Sequence, residues 1–416
     1  MRKTKIVCTI GPASHELDLL RRLIQAGMDV ARLNLSHGTH AEHAERIRMI
    51  RRLEAECRRY IPIMLDTKGP ELRIGRFSSG PVTLEPGASF TITTEPVMGG
   101  PGVVSVNYPG LPLVVVPNDR LLLDDGLLEL EVTSVQGPAV VCRVVVGGQL
   151  SDRKRVSIPG RRLNLPTLSG DDKDDLLFGI ENGVDMVAAS FMRSAADVQQ
   201  VKSFLAEHGS NIPIIAKIES REGIENLDSI LRVADGLMVA RGDLGVEMPA
   251  EDVPIIQKQM IQKCRKAGKP VITATQMLDS MIRNPSPTRA EVSDVANAVF
   301  DGTDAVMLSG ETASGMYPVE SVRTMARIAQ RAEMALQYTD AVAPRMGSAS
   351  MPITDAIGHA TVQIAAELRA AAIITSTKSG WTARMISKHR PRTTIIAVAT
   401  DVHTTRTLNL LWGVYP

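Results

Sequence analysis

Short apolar runs recur along this chain, each closing on polar residues and each followed by a stretch with helical spacing. KTKIVCTIGP comes first, then GMDVARLNLSHG and IPIMLDTKGP. After a long gap follow GVDMVAASFM, IPIIAKIES, DGLMVARGD, KPVITATQM and TDAVMLSGET. The runs are near-continuous rather than alternating, as expected of strands covered on both faces in a parallel sheet. Helical spacing between them is clearest over 17–26, 195–208, 224–233, 255–267 and 288–300. About eight such units place the chain in the α/β class and predict a closed (β/α)8 TIM barrel, which takes roughly 250 residues.

The pattern changes in the gap. Over 70–167 the strands alternate and are separated by Gly, Pro and Asp-Gly turns, as in NDRLLLDDGLLELEV. That reads as a small β-barrel or sandwich inserted into the larger barrel, placed to act as a lid. After residue 343 the composition loosens at APRMGSASMPIT. A helical segment, the strand AAIIT, the turn STKSG, the helix WTARMISKH and the strand TTIIAVAT then begin an open α/β domain that looks incomplete. The expected domains are therefore 1–69 with 168–343 (catalytic barrel), 70–167 (inserted lid) and 344–416 (partial C-terminal domain).

Composition narrows the core and the partners. Of the 416 residues, 44% are hydrophobic but only 3% aromatic, so the core must be aliphatic and rich in Val, Ile, Leu, Ala and Met. A formal net charge of +1 gives no nucleic-acid surface, so an anionic ligand needs a local cationic site. The four cysteines, Cys8, Cys57, Cys142 and Cys264, are widely spaced, which predicts reduced thiols and a cytoplasmic location. No run approaches the ~18 apolar residues of a membrane span, and the first residues lack a signal-peptide pattern.

Chemistry gathers where the strands end, which in a parallel barrel is the active-site mouth. Lys217 and Glu219 lie two apart at the close of PIIAKIES, and period two puts them on one face. The bland alternative is a surface ion pair. Company weakens it: Asp243 follows the next strand, and Thr273 and Thr275 follow the one after. Glu219 and Asp243 suit a hard divalent cation that also takes substrate oxygens. Beside two carboxylates Lys217 stays charged, which fits an electrostatic clamp and not an imine-forming nucleophile. Arg32, Asn34 and Ser36 share a face, His37 follows, and Asp66, Thr67 and Lys68 end the third strand. Asn34, Ser36, Asp66 and the Thr67 carbonyl form an all-oxygen set suited to a weakly held hard cation, or equally a hydrogen-bonded polar layer. Arg73 stands at the hinge into the insert, as a phosphate ligand or a solvated charge. The phosphate-loop and protein-kinase glycine motifs are absent. Separately, Thr375, Ser376, Thr377, Lys378, Ser379, Gly380 and Thr382 form a strand–turn–helix cradle for a regulatory phosphate, or an ordinary helix-start turn.

Long stretches of the chain resemble the pyruvate kinase family. They include KIVCTIGPAS, DVARLNLSHG, DTKGPELRIG, LDDGLLELEV, IIAKIESREGI, MVARGDLGVE, TATQMLDSMIRNPSPTRAEVSDVANAVFDGTDAVMLSGETASGMYP and TKSG, in order along the whole chain. The resemblance implies phosphoryl transfer from phosphoenolpyruvate to ADP, giving pyruvate and ATP as the last step of glycolysis. It implies Mg²⁺ or Mn²⁺ and K⁺ as cofactors, a homotetramer, and a sugar-phosphate or nucleoside-monophosphate effector. Lys217 would stabilise the phosphoryl group in flight, Glu219 and Asp243 would hold the divalent ion, and Thr275 would lie near the carbon that gains a proton. Arg32 and Arg73 would bind phosphate oxygens, and Asn34, His37 and Lys154 would lie near the nucleotide. Asn34, Ser36, Asp66 and Thr67 would hold K⁺, and the backbone of Arg241, Gly242 and Asp243 would meet the substrate carboxylate. One departure is plain: many family members have glycine where this chain has Arg155, before VSIPG. Two other readings compete, a lyase working through a Lys217 imine and a non-catalytic binder of sugar phosphate.

Overall fold

A computed structural model describes residues 1–336 and 352–416. The loosened segment up to residue 351 and the expected boundary at 343/344 lie outside the described residues. In chain order the strands begin with β1 (Lys5–Thr9), β2 (Val30–Asn34) and β3 (Ile63–Asp66). The insert contributes β4 (Val82–Leu84), β5 (Ser89–Thr93), β6 (Val103–Ser105), β7 (Arg120–Leu123), β8 (Leu128–Gln136), β9 (Ala139–Val146), β10 (Gly148–Leu150) and β11 (Val156–Ser157). Then come β12 (Met186–Ala189), β13 (Ile214–Ile218), β14 (Gly236–Ala240), β15 (Val271–Ala274) and β16 (Ala305–Leu308). The last three are β17 (Ala372–Thr377), β18 (Thr394–Ala399) and β19 (Val414–Tyr415).

Strands β1, β2, β3 and β12 to β16 pair in parallel and close on themselves, with β1 joined to both β2 and β16. This is the expected eight-stranded barrel. Alternation assigns the two faces. Ile214, Ala216 and Ile218 of β13 pack outward beneath the helices, whereas Ile215 points inward. Four methionines, Met64, Met186, Met238 and Met307, help fill the interior, the solution expected of a core short of aromatic rings. Helix starts follow local capping chemistry: Thr39, Ser169, Ser194 and Thr288 each cap the backbone three residues on, with an acidic partner returning the bond. The expected helix over 224–233 is two, Arg221–Glu225 and Leu227–Val233, broken at Asn226.

The insert is a six-stranded curled sheet, ordered β11-β7-β8-β9-β5-β6, with the two-stranded β10-β4 beside it. It closes over its own apolar core, which includes Phe90, Ile92, Leu121, Leu130 and Val140. β17, β18 and β19 form a parallel three-stranded sheet. One of its faces is buried through Ile373, Ile395 and Ala397, while Ile374, Ile396 and Val398 on the other are exposed. No helix among the described residues is long and apolar enough to cross a membrane.

The C-terminal residues around this last sheet reach under the barrel. Leu410, 2% exposed, joins the interior cluster of Val7, Val30 and Met64. Lys5 Nζ donates to the Val414 carbonyl at 2.6 Å and to Asn409 Oδ1 at 3.2 Å. Arg406 forks onto Glu54, and Arg390 pairs with Asp304 at 2.9 Å.

Candidate active site

Period two carries Lys217 into the barrel mouth, directly above Ile215, and Glu219 follows on the same side. On β2 the same rule aligns Arg32 above Val30, and on β3 it aligns Asp66 above Met64. These side chains meet. Lys217 Nζ lies 3.0 Å from Asp66 Oδ1, 3.1 Å from Glu219 Oε1 and 2.6 Å from Ser190 Oγ. Arg32 Nε donates to Asp66 Oδ2 at 2.6 Å, and its Nη1 donates to Thr9 Oγ1 at 2.8 Å. Glu219 Oε2 accepts the Phe191 N–H at 2.6 Å.

The electrostatics follow from burial and proximity. Burial disfavours the charge on Lys217, but the charges of Asp66 and Glu219 outweigh it and hold the ammonium above the ordinary lysine range. Burial pushes Asp66 upward, but Arg32 and Lys217 together bring it below the usual carboxylate range. Glu219 goes the other way: burial raises it despite Lys217. A fixed ammonium beside a carboxylate that lacks enough positive charge is a site that favours a further cation.

Arg32, Asn34, Ser36, His37, Thr67, Lys68, Arg73, Lys154, Lys217, Glu219 and Asp243 line one cleft of about 1020 Å³ between the barrel mouth and the insert. Within it Arg73 is held by Glu71 at 2.6 Å and by the Arg153 carbonyl at 2.8 Å. Lys154 pairs with Asp124 at 2.7 Å, and His37 is exposed. The Thr67 carbonyl accepts the Ser190 hydroxyl at 2.7 Å, and Asn34 Oδ1 accepts the Ser36 N–H at 3.2 Å.

Thr275 sits just after β15 at a φ of 66°, uncommon for a β-branched residue. Its hydroxyl accepts the Gly242 N–H at 2.7 Å and donates to the Ala274 carbonyl at 2.6 Å. The Arg241 side chain turns away to Asp294, at 2.7 Å, leaving its backbone at the start of the helix Arg241–Glu247. Thr273 points out of the barrel and bonds Thr303 at 3.0 Å. The phosphate cradle is elsewhere, on the C-terminal sheet. There Thr375 and Thr377 face the core, while Ser376, Lys378, Ser379 and Thr382 are exposed and Gly380 adopts a φ of 79°.

Ser190, Phe191, Thr9 and Arg155 belong to the site and were missed as contributors. Ser190 had a readable signal, since Met186, Ala188 and Ser190 alternate along GVDMVAASFM. Phe191, at a φ of 54°, had none.

A divalent ion fits here as a two-carboxylate site and not as a protein-only cage. Among the described residues no group of three His, Cys, Asp or Glu could hold a metal. Glu219 and Asp243 do converge, and a cationic side chain, Arg155, already sits on Asp243. Two carboxylates with open positions match the Mg²⁺ habit of keeping water and substrate oxygens. For a monovalent ion the oxygens of Asn34, Ser36 and Thr67 are present, while each Asp66 oxygen already accepts one cation and retains further lone pairs.

Comparison with known proteins agrees with this geometry. A family described as "Pyruvate kinase, barrel domain" matches residues 1–322, and "Pyruvate kinase, alpha/beta domain" matches residues 355–416. The chain is 54% identical over 417 residues to a protein named pyruvate kinase from Geobacillus stearothermophilus, covering all of this chain and 71% of that one. A pyruvate kinase of Bacillus licheniformis is 53% identical, with 72% of its length covered. One from Clostridium acetobutylicum is 48% identical, with 88% covered.

Proposed function

From the premise that this chain belongs to the pyruvate kinase family, we propose how its residues divide the work of that reaction. The protein is a phosphotransferase: it moves the phosphoryl group of phosphoenolpyruvate to ADP, giving pyruvate and ATP. The bond from phosphorus to the enol oxygen breaks, a bond to the terminal phosphate oxygen of ADP forms, and the enolate carbon gains a proton. Little covalent chemistry is asked of the protein, so positioning and charge neutralisation carry the rate.

The observation that carries the reading is the Lys217 ammonium, kept charged between Asp66 and Glu219 and pinned by Ser190. Fixed in advance, it costs no reorganisation when the phosphoryl oxygens develop charge. The same protonation opposes a Lys217 imine, which needs a neutral amine. Arg32, steadied by Asp66 and Thr9, and Arg73 face the phosphates from the second strand and the hinge. Asn34, His37 and Lys154 face the nucleotide. The backbone of Arg241, Gly242 and Asp243 receives the substrate carboxylate, with Thr275 beside it orienting the proton for the enolate carbon. Glu219 and Asp243 would hold Mg²⁺ or Mn²⁺, whose chemistry there is to draw charge from the phosphate oxygens. Asn34, Ser36, Asp66 and Thr67 would hold K⁺ at the inner wall.

The exposed Ser376, Lys378, Ser379 and Thr382 form the outer surface of the proposed effector cradle. A domain division at 69/70, 167/168 and 343/344 belongs to the same reading, as does a homotetramer.

The test is pyruvate release from phosphoenolpyruvate and ADP by this chain with Mg²⁺, with and without K⁺. We expect turnover that depends on both ions. Turnover indifferent to K⁺ removes the role given to Asn34, Ser36, Asp66 and Thr67 and leaves the reaction intact.

A further inference from the structure

The cleft contains a cation that the division of labour above does not use. Arg155 stands on the insert immediately before β11, where its backbone bridges to Arg73. Its guanidinium crosses to the barrel, pairs with Asp243 Oδ1 and lies 4.8 Å from the centre of the Phe191 ring. Phe191 in turn donates its N–H to Glu219. The Arg155 side chain is only 11% exposed. Burial disfavours its charge, but Asp243, Glu219 and Glu71 more than compensate.

We propose that Arg155 is a tethered counter-ion that occupies the divalent cation's place on Asp243, so that a metal ion must displace it. The inference rests on Glu219 and Asp243 being the metal ligands. A guanidinium cannot vacate the site by losing its proton, because it stays charged at any physiological pH. It leaves only by moving, and it has somewhere to go. Arg155 also lines the adjoining groove, where Glu71 and Glu247 offer carboxylates. Until it moves, the metal-competent state is a minor one, and apparent affinity falls by that fraction.

The experiment is titration of the substrate-free full chain with Mn²⁺, followed by the electron paramagnetic resonance signal of the free ion. The proteins compared are wild type, Arg155→Met, Arg155→Lys and Glu219→Gln. Methionine keeps an apolar stem over Phe191 and removes the charge; lysine keeps the charge. Arg155→Met should bind Mn²⁺ about tenfold or more tightly than wild type, Arg155→Lys should stay near wild type, and Glu219→Gln should weaken binding by about tenfold or more. If Glu219→Gln weakens binding but Arg155→Met does not tighten it, or if lysine acts like methionine, the counter-ion role falls and the ligand assignment stands. If Glu219→Gln binds Mn²⁺ as wild type does, both fall together.

Discussion

Methionine at position 217 would keep the length of the lysine and lose its charge. Arg32 would still hold Asp66 at 2.6 Å, so the inner carboxylate keeps a partner and the barrel keeps its shape. Turnover should fall by at least ~10²-fold, as for loss of one preorganised transition-state donor. Steady-state assay beside an unchanged circular dichroism spectrum checks it, and near-wild-type turnover would refute the clamp. The pairing of Lys217 with Glu219 was legible because period two at a strand end places both on one face. Asp66 was legible as a site residue. Its pairing with Arg32 and Lys217 was not, because they stand on strands 34 and 151 residues away along the chain. The turn at Phe191 was invisible for a different reason, since nothing local in SFMRS demands a positive φ.

The helix Trp381–Ser387 and the residues after it carry the clearest pH signature at the scale of an element. His389 is partly buried there, its Nε2 without a hydrogen-bond partner among the described residues, beside Lys388 and His359. Burial, helped by Lys388, lowers its pKa from 6.5 to about 4. Between those values the unfolded chain binds the proton that the folded one refuses. Stability from this residue is therefore full above pH 6.5 and is lost as the pH falls to about 4, with no further loss below. Urea melts across that window should show the decline in wild type and a flatter profile in His389→Gln. Elements were generally legible where a local rule sets them. Thr288 with Glu291 announces a helix start, and Asp-Gly turns announce hairpins. The break at Asn226 was not, because an apolar period of 3.6 runs on through it.

The underside of the barrel depends on residues from the far end of the chain. Leu410 fills the interior beneath Val7, Val30 and Met64, at the opposite end from the Lys217 cleft. Leu410→Ala should cost about 2–5 kcal/mol of stability through lost burial and the cavity left behind. Thermal melting should register that loss while kcat/KM at low temperature stays near wild type; a matching fall in kcat/KM would show the two ends to be coupled. The barrel itself was readable from eight apolar runs. Its plug was not, because Leu410 reads as one more apolar residue near the end of a domain assigned elsewhere.

The same closure binds residues made far apart in translation. Gly413 N donates to the Lys3 carbonyl at 2.9 Å, Tyr415 reaches the Arg2 carbonyl, and Lys5 waits for Val414. At roughly 5–20 residues per second, a ribosome needs on the order of 20–80 s to travel between them. Through most of that interval β1 has no β16 at its side, and through nearly all of it no Leu410 plug beneath it. A strand made well before its partners thus waits for them, which leaves β1 in need of shelter during synthesis.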